Sequence, residues 1–324
     1  MKESRRDKLL NIIELSFKVR QINLVKIDKP KEYFGKILEE SYLKTENGKR
    51  QKILTKNLEE FENNRGKFHL QGIRNLIRWS LYSIRPPDHC VVRVVEGDWG
   101  VVTLQMTKSY GETFAVLNMA NAFGPGGGYT QGMVAQEENI FRRTDCHFSI
   151  TPDQMDDSRT LYTKKCTGLI EGRKGKVYLD TDRPRVCIRG QDIPGSLHER
   201  MNDEDVFCFF ELRSAAVDLR KKEKRLSIED YNSTKKRIES QFKTLIEKNV
   251  KHVVLSAFGC GAFKNDPNVV ADFYKEFIEK YHHKFKVIAF GIFYPGYGPS
   301  GNFEAFKKVF ESLKNVPGIQ IQFE

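Results

Sequence analysis

From Val91 onward the chain alternates short apolar, β-branched runs with amphipathic segments of roughly 10–20 residues, a pattern that commits it to an α/β sheet with helices on both faces. "VVRVVEGD" and "ETFAVLNMA" read as strands on either side of the helix "VVTLQMTK", and "RPRVCIRG" reads as a further strand. The helix "EDYNSTKKRIESQFKTLIEKN" follows, then the strand "VKHVVLSAF", the helix "NVVADFYKEFIEKYHH", the strand "KVIAFGIFYP" and a last helix, "NFEAFKKVFESL". The charged run "DLRKKEKRLSIED" fits a solvated helix end or loop.

The first 88 residues have helical texture instead. Leu9, Leu10, Ile13 and Phe17 share one face, as do Tyr33, Phe34, Ile37, Leu38 and Tyr42, at a spacing near 3.6 residues. Two further helices are expected at "ILTKNLEEF" and "FHLQGIRNLIRWSLYSI", with "RPPD" ending the run. The expected organisation is a helical extension over 1–88 and an α/β domain over 89–324.

Net charge is +11, and residues 1–90 hold 20 Lys and Arg against 12 Asp and Glu, so the surplus lies mainly in the helical part. Such a surplus suits a polyanionic partner, or simply a lysine-rich solvated surface. The six cysteines (Cys90, Cys146, Cys166, Cys187, Cys208 and Cys260) are scattered with neither CxxC nor zinc spacing. They point to a reducing compartment and no structural metal. Glu14 and Lys18 interrupt the apolar character of the amino terminus, and no run approaches the ~18 apolar residues of a membrane span. An intracellular protein is expected, or one exported without a conventional signal.

Ligands of α/β sheets gather at the carboxyl ends of strands. Three stretches fall there: Glu96-Gly97-Asp98; Asn118-Met119-Ala120-Asn121 with the turn Gly124-Pro125-Gly126-Gly127-Gly128; and "SAFGCGAFKNDP". Seven residues separate Gly128 from Gln136-Glu137-Glu138. Glycines let a backbone approach a diphosphate closely, although three of them also make an ordinary tight turn. Neither GKS/GKT nor GxGxxG accompanies the turn, so nucleotide P-loop and dinucleotide-binding readings are excluded.

The spacing GGG, seven residues, QEE resembles the signature of the poly(ADP-ribose) glycohydrolase catalytic domain, a branch of the macrodomain fold. "GCGAFKNDP" is similar to the second phosphate-side loop of its microbial members, and "GDWGVVTLQMTK" to the macrodomain strand end that meets adenine. The resemblance implies a macrodomain-like mixed sheet flanked by helices. It also implies a glycosidase of ADP-ribosyl linkages that needs no metal or redox cofactor, acting on ADP-ribosylated protein or poly(ADP-ribose).

Within that resemblance Glu138 is the general acid/base and Glu137 orients the ribose hydroxyls, while neighbouring negative charge favours retention of a proton by the pair. As plain helix-start acids, both would serve only the dipole. Gln136 and the amides of Gly126, Gly127 and Gly128 belong to the binding site, together with Gly259, Cys260, Gly261 and Ala262. Asp98 is matched to the adenine contact, with helix capping as its alternative. Asn118 and Asn121 are matched to the distal ribose or to turn closure, and Phe263 and Tyr294 to ribose and adenine or to core packing. Asp145 lies seven positions after Glu138, two helical turns on if the helix continues. Facing the pocket, it would suit a cationic leaving group such as arginine, the linkage that some effector-type relatives act upon; otherwise it pairs with a neighbouring arginine. Two rivals stand beside this reading: a macrodomain that reads ADP-ribose without cleaving it, and a nucleic-acid binder using the basic helices. No zinc module or ribonucleoprotein motif supports the second.

Overall fold

The computed structural model describes residues 45–85, 88–193, 196–220, 227–294 and 301–324. The helices expected around Leu9 and Tyr33 lie outside these residues, as does the middle of the charged run after Asp218.

Helix α1 (Glu46–Tyr82) starts at Thr45, whose hydroxyl accepts from the Gly48 amide. It is one continuous helix of 37 residues, not the two helices expected from the sequence. The joining stretch contains Gly66 but no proline, and a lone glycine costs about 1 kcal/mol without ending a helix. Leu54, Leu58 and Phe61 before the join, and Ile73, Leu76 and Trp79 after it, are buried. Packing on both sides carries the helix through its weak middle.

Strand β1 (Cys90–Glu96) is followed by α2 (Trp99–Tyr110), β2 (Ala115–Met119), α3 (Gln136–Arg143), α4 (Lys164–Ile170) and β3 (Tyr178–Cys187). A small ribbon, β4 (Asp192–Ile193) and β5 (Ser196–Leu197), precedes β6 (Phe207–Ser214). The chain continues through α5 (Ile228–Glu247), β7 (His252–Leu255), α6 (Pro267–Tyr281), β8 (Val287–Ile292), α7 (Asn302–Phe310) and β9 (Ile319–Phe323). The seven-stranded sheet has the order β3-β6-β2-β7-β8-β1-β9. β3 is antiparallel to β6, whereas the other neighbours are parallel.

One face packs Leu117, Val253 and Ile288 against Phe242 of α5, Phe273, Tyr274 and Phe277 of α6, and Phe306 and Phe310 of α7. The other packs Val116, Val254 and Ala289 against Met106 of α2, Ile140 and Phe141 of α3, and Leu54, Leu58 and Trp79 of α1. Each fully buried side chain of this kind is worth about 1.5–3 kcal/mol, so α1 is a structural member of the second helical layer. Its backbone meets β6 closely at Gly72, where an added Cβ would lie 2.7 Å from the Cys208 sulfur. Among the described residues no helix is long and apolar enough to cross a membrane.

Candidate active site at the carboxyl end of the sheet

The pairing of β2 with β7 ends at Val116–Val254. Just beyond, the Gln136 amide takes over: its Oε1 accepts from Met119 N at 2.8 Å and its Nε2 donates to Leu117 O at 2.5 Å. This grip sets the amino terminus of α3 above the end of β2 and fixes the two residues that follow. Glu137 is buried and bidentate, with Oε2 accepting from Asn121 N (2.6 Å) and Oε1 from Gly126 N (3.1 Å). Glu138 Oε1 accepts from Gly128 N at 3.0 Å, while its buried Oε2 has no hydrogen-bond partner. Asn121 tightens the turn, its Oδ1 accepting from the amides of Phe123 and Gly124.

The glycine turn therefore cradles carboxyl groups, but they are those of Glu137 and Glu138 and not the expected diphosphate. Gly126 and Gly128 have committed their amides to the carboxylates, and Gly127 N points to Gly124 O. Gly127 has φ +55°, and a Cβ there would lie 2.5 Å from Glu138 Oε1 and 3.3 Å from Glu137 Oε2. Only a glycine lets the chain pass this close to the two acids.

Burial pushes the Glu137 carboxyl well above the usual range; the Glu138 charge adds to this, while the Asn121 and Gly126 amides and Arg213 oppose it. The Glu137 carboxyl consequently tends to hold a proton where an exposed acid would be ionised.

Beneath the turn, Asn118 is fully buried and faces downward, its Nδ2 donating to Glu211 Oε1 at 2.9 Å. Glu211 also accepts from Arg213 Nε (2.7 Å) and Nη2 (2.9 Å) and from Arg185 Nε (3.2 Å). Neither Glu211 nor Arg213 was among the sequence candidates, although two charges flanking Leu212 within the apolar "FCFFELRS" mark one face of a strand. Burial alone would raise the Glu211 carboxyl, but Arg213, Arg185 and Asn118 outweigh it and hold it at about 2. A folded value below the ordinary 4.5 gives stability that is present above pH 4.5 and lost as pH falls through about 2. Acid titration of unfolding free energy should thus show a loss on the order of 3 kcal/mol over that window. Glu211→Gln should lack it; identical pH dependence in the two proteins would refute the assignment.

Asp98 caps α2, its Oδ1 accepting from Gly100 N (2.9 Å) and Val101 N (3.3 Å) and from Arg143 Nη1 at 2.6 Å. The Arg143 guanidinium also stacks on Trp99 at 4.5 Å. Helix α3 stops at Arg143, so the two-turn alignment of Asp145 with Glu138 does not arise. Asp145 is instead buried, with Oδ2 on His69 Nε2 of α1 (2.7 Å) and Oδ1 accepting from Val186 N (2.8 Å). Burial would raise this carboxyl, yet His69, Arg185 and the Val186 amide hold it below the usual range. Both oxygens are engaged in joining α1 to β3, which removes the geometric basis for reading Asp145 as a partner of a cationic leaving group.

After β7 the second loop bends at Gly259 (φ +75°) and Lys264 (φ +58°). Cys260 is buried, its amide donating to Ala257 O, whereas Gly261 and Ala262 are exposed. The amides of Gly261, Ala262 and Phe263 donate to no acceptor among the described residues. Phe263 is half-buried against the core. Past the end of β8, Tyr294 is 44% exposed and lines a cleft of about 170 Å³ with Glu96, Phe293, Asn302 and Phe303. The strand-end acid in this cleft is Glu96, the last residue of β1, and not Asp98. Strands β2, β7, β8 and β1 are successive neighbours, so glutamates, amide loop and aromatic cleft follow one another over about 14 Å at normal strand spacing.

A family profile described as the catalytic domain of microbial-type PARG matches residues 34–181. The chain is PARG-like. The match takes in α1 as well as the glycine turn and α3, whereas the second loop lies beyond it. Among solved structures, poly(ADP-ribose) glycohydrolase (PARG) from Thermomonospora curvata aligns with 81% of this chain and 100% of its own, at 21% identity and TM-score 0.56. Its complex with the inhibitor ADP-HPD aligns similarly, at 20% identity over 81% and 99% of the two chains, with TM-score 0.55. PARG from Deinococcus radiodurans in complex with ADP-ribose aligns over 79% of this chain and 92% of its own, at 20% identity and TM-score 0.53. At these identities the structural likeness speaks for a shared PARG fold. No curated protein matches the sequence.

Proposed function

We propose that the protein is an ADP-ribosyl glycohydrolase that releases ADP-ribose from poly(ADP-ribose) or from modified protein, with Glu138 as general acid/base. The observation that carries this reading is the asymmetry of Glu138. One oxygen is anchored on Gly128 N and the other is buried without a partner, beside a Glu137 carboxyl that burial keeps prone to protonation. Glu138 delivers a proton to the leaving oxygen as the bond to the anomeric carbon breaks. Positive charge develops on the ribose ring, water adds to the anomeric carbon, and Glu138 takes up the proton that water releases. Glu137, rigid on two amides, orients the ribose hydroxyls so that the anomeric carbon meets Glu138. The free amides of the second loop hold the diphosphate, and the Glu96–Tyr294 cleft takes the adenine. A protein that only reads ADP-ribose needs no such unengaged carboxylate.

Thermal unfolding with and without ligand tests the binding half of this reading. ADP-ribose at 100 times its dissociation constant should add about 2.7 kcal/mol and raise the midpoint, with adenosine giving a smaller shift. An unchanged midpoint in millimolar ADP-ribose would contradict it.

A further inference from the structure

The chain leaving β6 does not turn away from the sheet end but runs along the second loop. Asn265 Nδ2 donates to Val217 O at 2.8 Å, and Leu219 N donates to Phe263 O at 3.0 Å. The next residue, Arg220, places its guanidinium over the Phe263 ring at 5.1 Å. Asp218 holds that guanidinium by one edge, through Nε at 2.9 Å and Nη2 at 2.5 Å, and accepts from the Arg220 amide as well. This is a surface pair, with side chains 54% and 44% exposed, so as a contribution to stability it is worth little. Its effect is orientation. A guanidinium gripped at its Nε edge still presents the Nη1 edge, and that edge donates to no acceptor among the described residues. Arginine's planar fork suits the geometry of phosphate oxygens.

We propose that Arg220 is a binding residue for the anionic part of the ligand, its guanidinium preset by Asp218 and Phe263 beside the free amides of Gly261, Ala262 and Phe263. The inference rests on the ADP-ribose reading above and adds to it a side-chain cation at the amide loop. Because the Arg220 side chain is more than half exposed, its replacement leaves the fold intact.

Calorimetric titration of the full chain tests this with three ligands: ADP-ribose, inorganic pyrophosphate and adenosine. Arg220→Gln should weaken ADP-ribose about tenfold, since a hydrogen-bonded charged contact is worth about that much. It should weaken pyrophosphate comparably, leave adenosine unchanged, and make ADP-ribose binding less sensitive to salt. Asp218→Asn, which keeps the charge of Arg220 but loosens its orientation, should produce a smaller loss of the same kind. Equal affinities of wild type and Arg220→Gln for ADP-ribose would overturn the proposal and leave the ADP-ribose reading standing. Equal weakening of ADP-ribose and adenosine would overturn it too, because it would mark a general disturbance of the pocket. Failure of the wild type to bind ADP-ribose would defeat the underlying reading itself.

Discussion

Glu138→Gln should leave the fold and ADP-ribose affinity nearly intact while lowering the rate of ADP-ribose release about 10²–10⁴-fold, the usual cost of losing a general acid/base. Glutamine can still accept from Gly128 N through its carbonyl oxygen, so the anchor survives. What it lacks is a proton to deliver at the position of Oε2. Single-turnover release and ligand titration on the same preparation separate the two effects. Asp145→Asn makes the informative contrast. Its oxygen can still meet Val186 N, but the charge opposite His69 and Arg185 is gone, so stability should drop by about 1–3 kcal/mol. The folded fraction should remain active. A variant that folds normally but no longer cleaves would return Asp145 to the chemistry.

Gly127→Val should be almost as severe, for a reason the sequence did not reveal. The turn was expected to make room for phosphate, so that a side chain would block the ligand. The space next to Gly127 is filled by the glutamates: a Cβ would press on Glu138 Oε1 at 2.5 Å. A β-branched residue at φ +55° adds about 1–3 kcal/mol of backbone strain. Displacing a catalytic group by about 1 Å commonly costs 10²-fold, and both carboxylates would have to move. Circular dichroism should show a folded protein whose hydrolysis is lost to at least that extent. Activity within a fewfold of wild type would show that the carboxylates do not depend on this glycine.

The sheet was legible wherever apolar runs stood between turns: β1, β2, β7 and β8 appear close to where the pattern placed them. Strand β6 escaped because Glu211 and Arg213 sit inside it, and their burial is tolerable only through a network that Asn118 and Arg185 complete from distant positions. Strand β9 is a short terminal alternation that forms by pairing with β1. The continuity of α1 was hidden by the polar stretch around Gly66, which looks like a break until its flanks are seen to pack against the same layer. At the site, Glu137 and Glu138 meet the glycine turn, while Gln136 grips the end of β2 instead. Which amide meets which acid was not legible, since it depends on where β7 stops pairing and frees the β2 edge for Gln136. Asp98 and Asp145 illustrate the limit of motif reasoning. Each stands where a pattern expects a ligand-facing acid, and each is held inside the fold, by Arg143 and by His69.

The most direct test of the central claim is the amount of free ADP-ribose released by wild type and Glu138→Gln, side by side, from automodified polymer, arginine-linked ADP-ribose and serine-linked ADP-ribose. Wild type should release ADP-ribose from at least one of the three, and Glu138→Gln should be slower on that substrate by at least about 10²-fold. No release from any substrate by wild type, or equal release by the two proteins, would contradict the account.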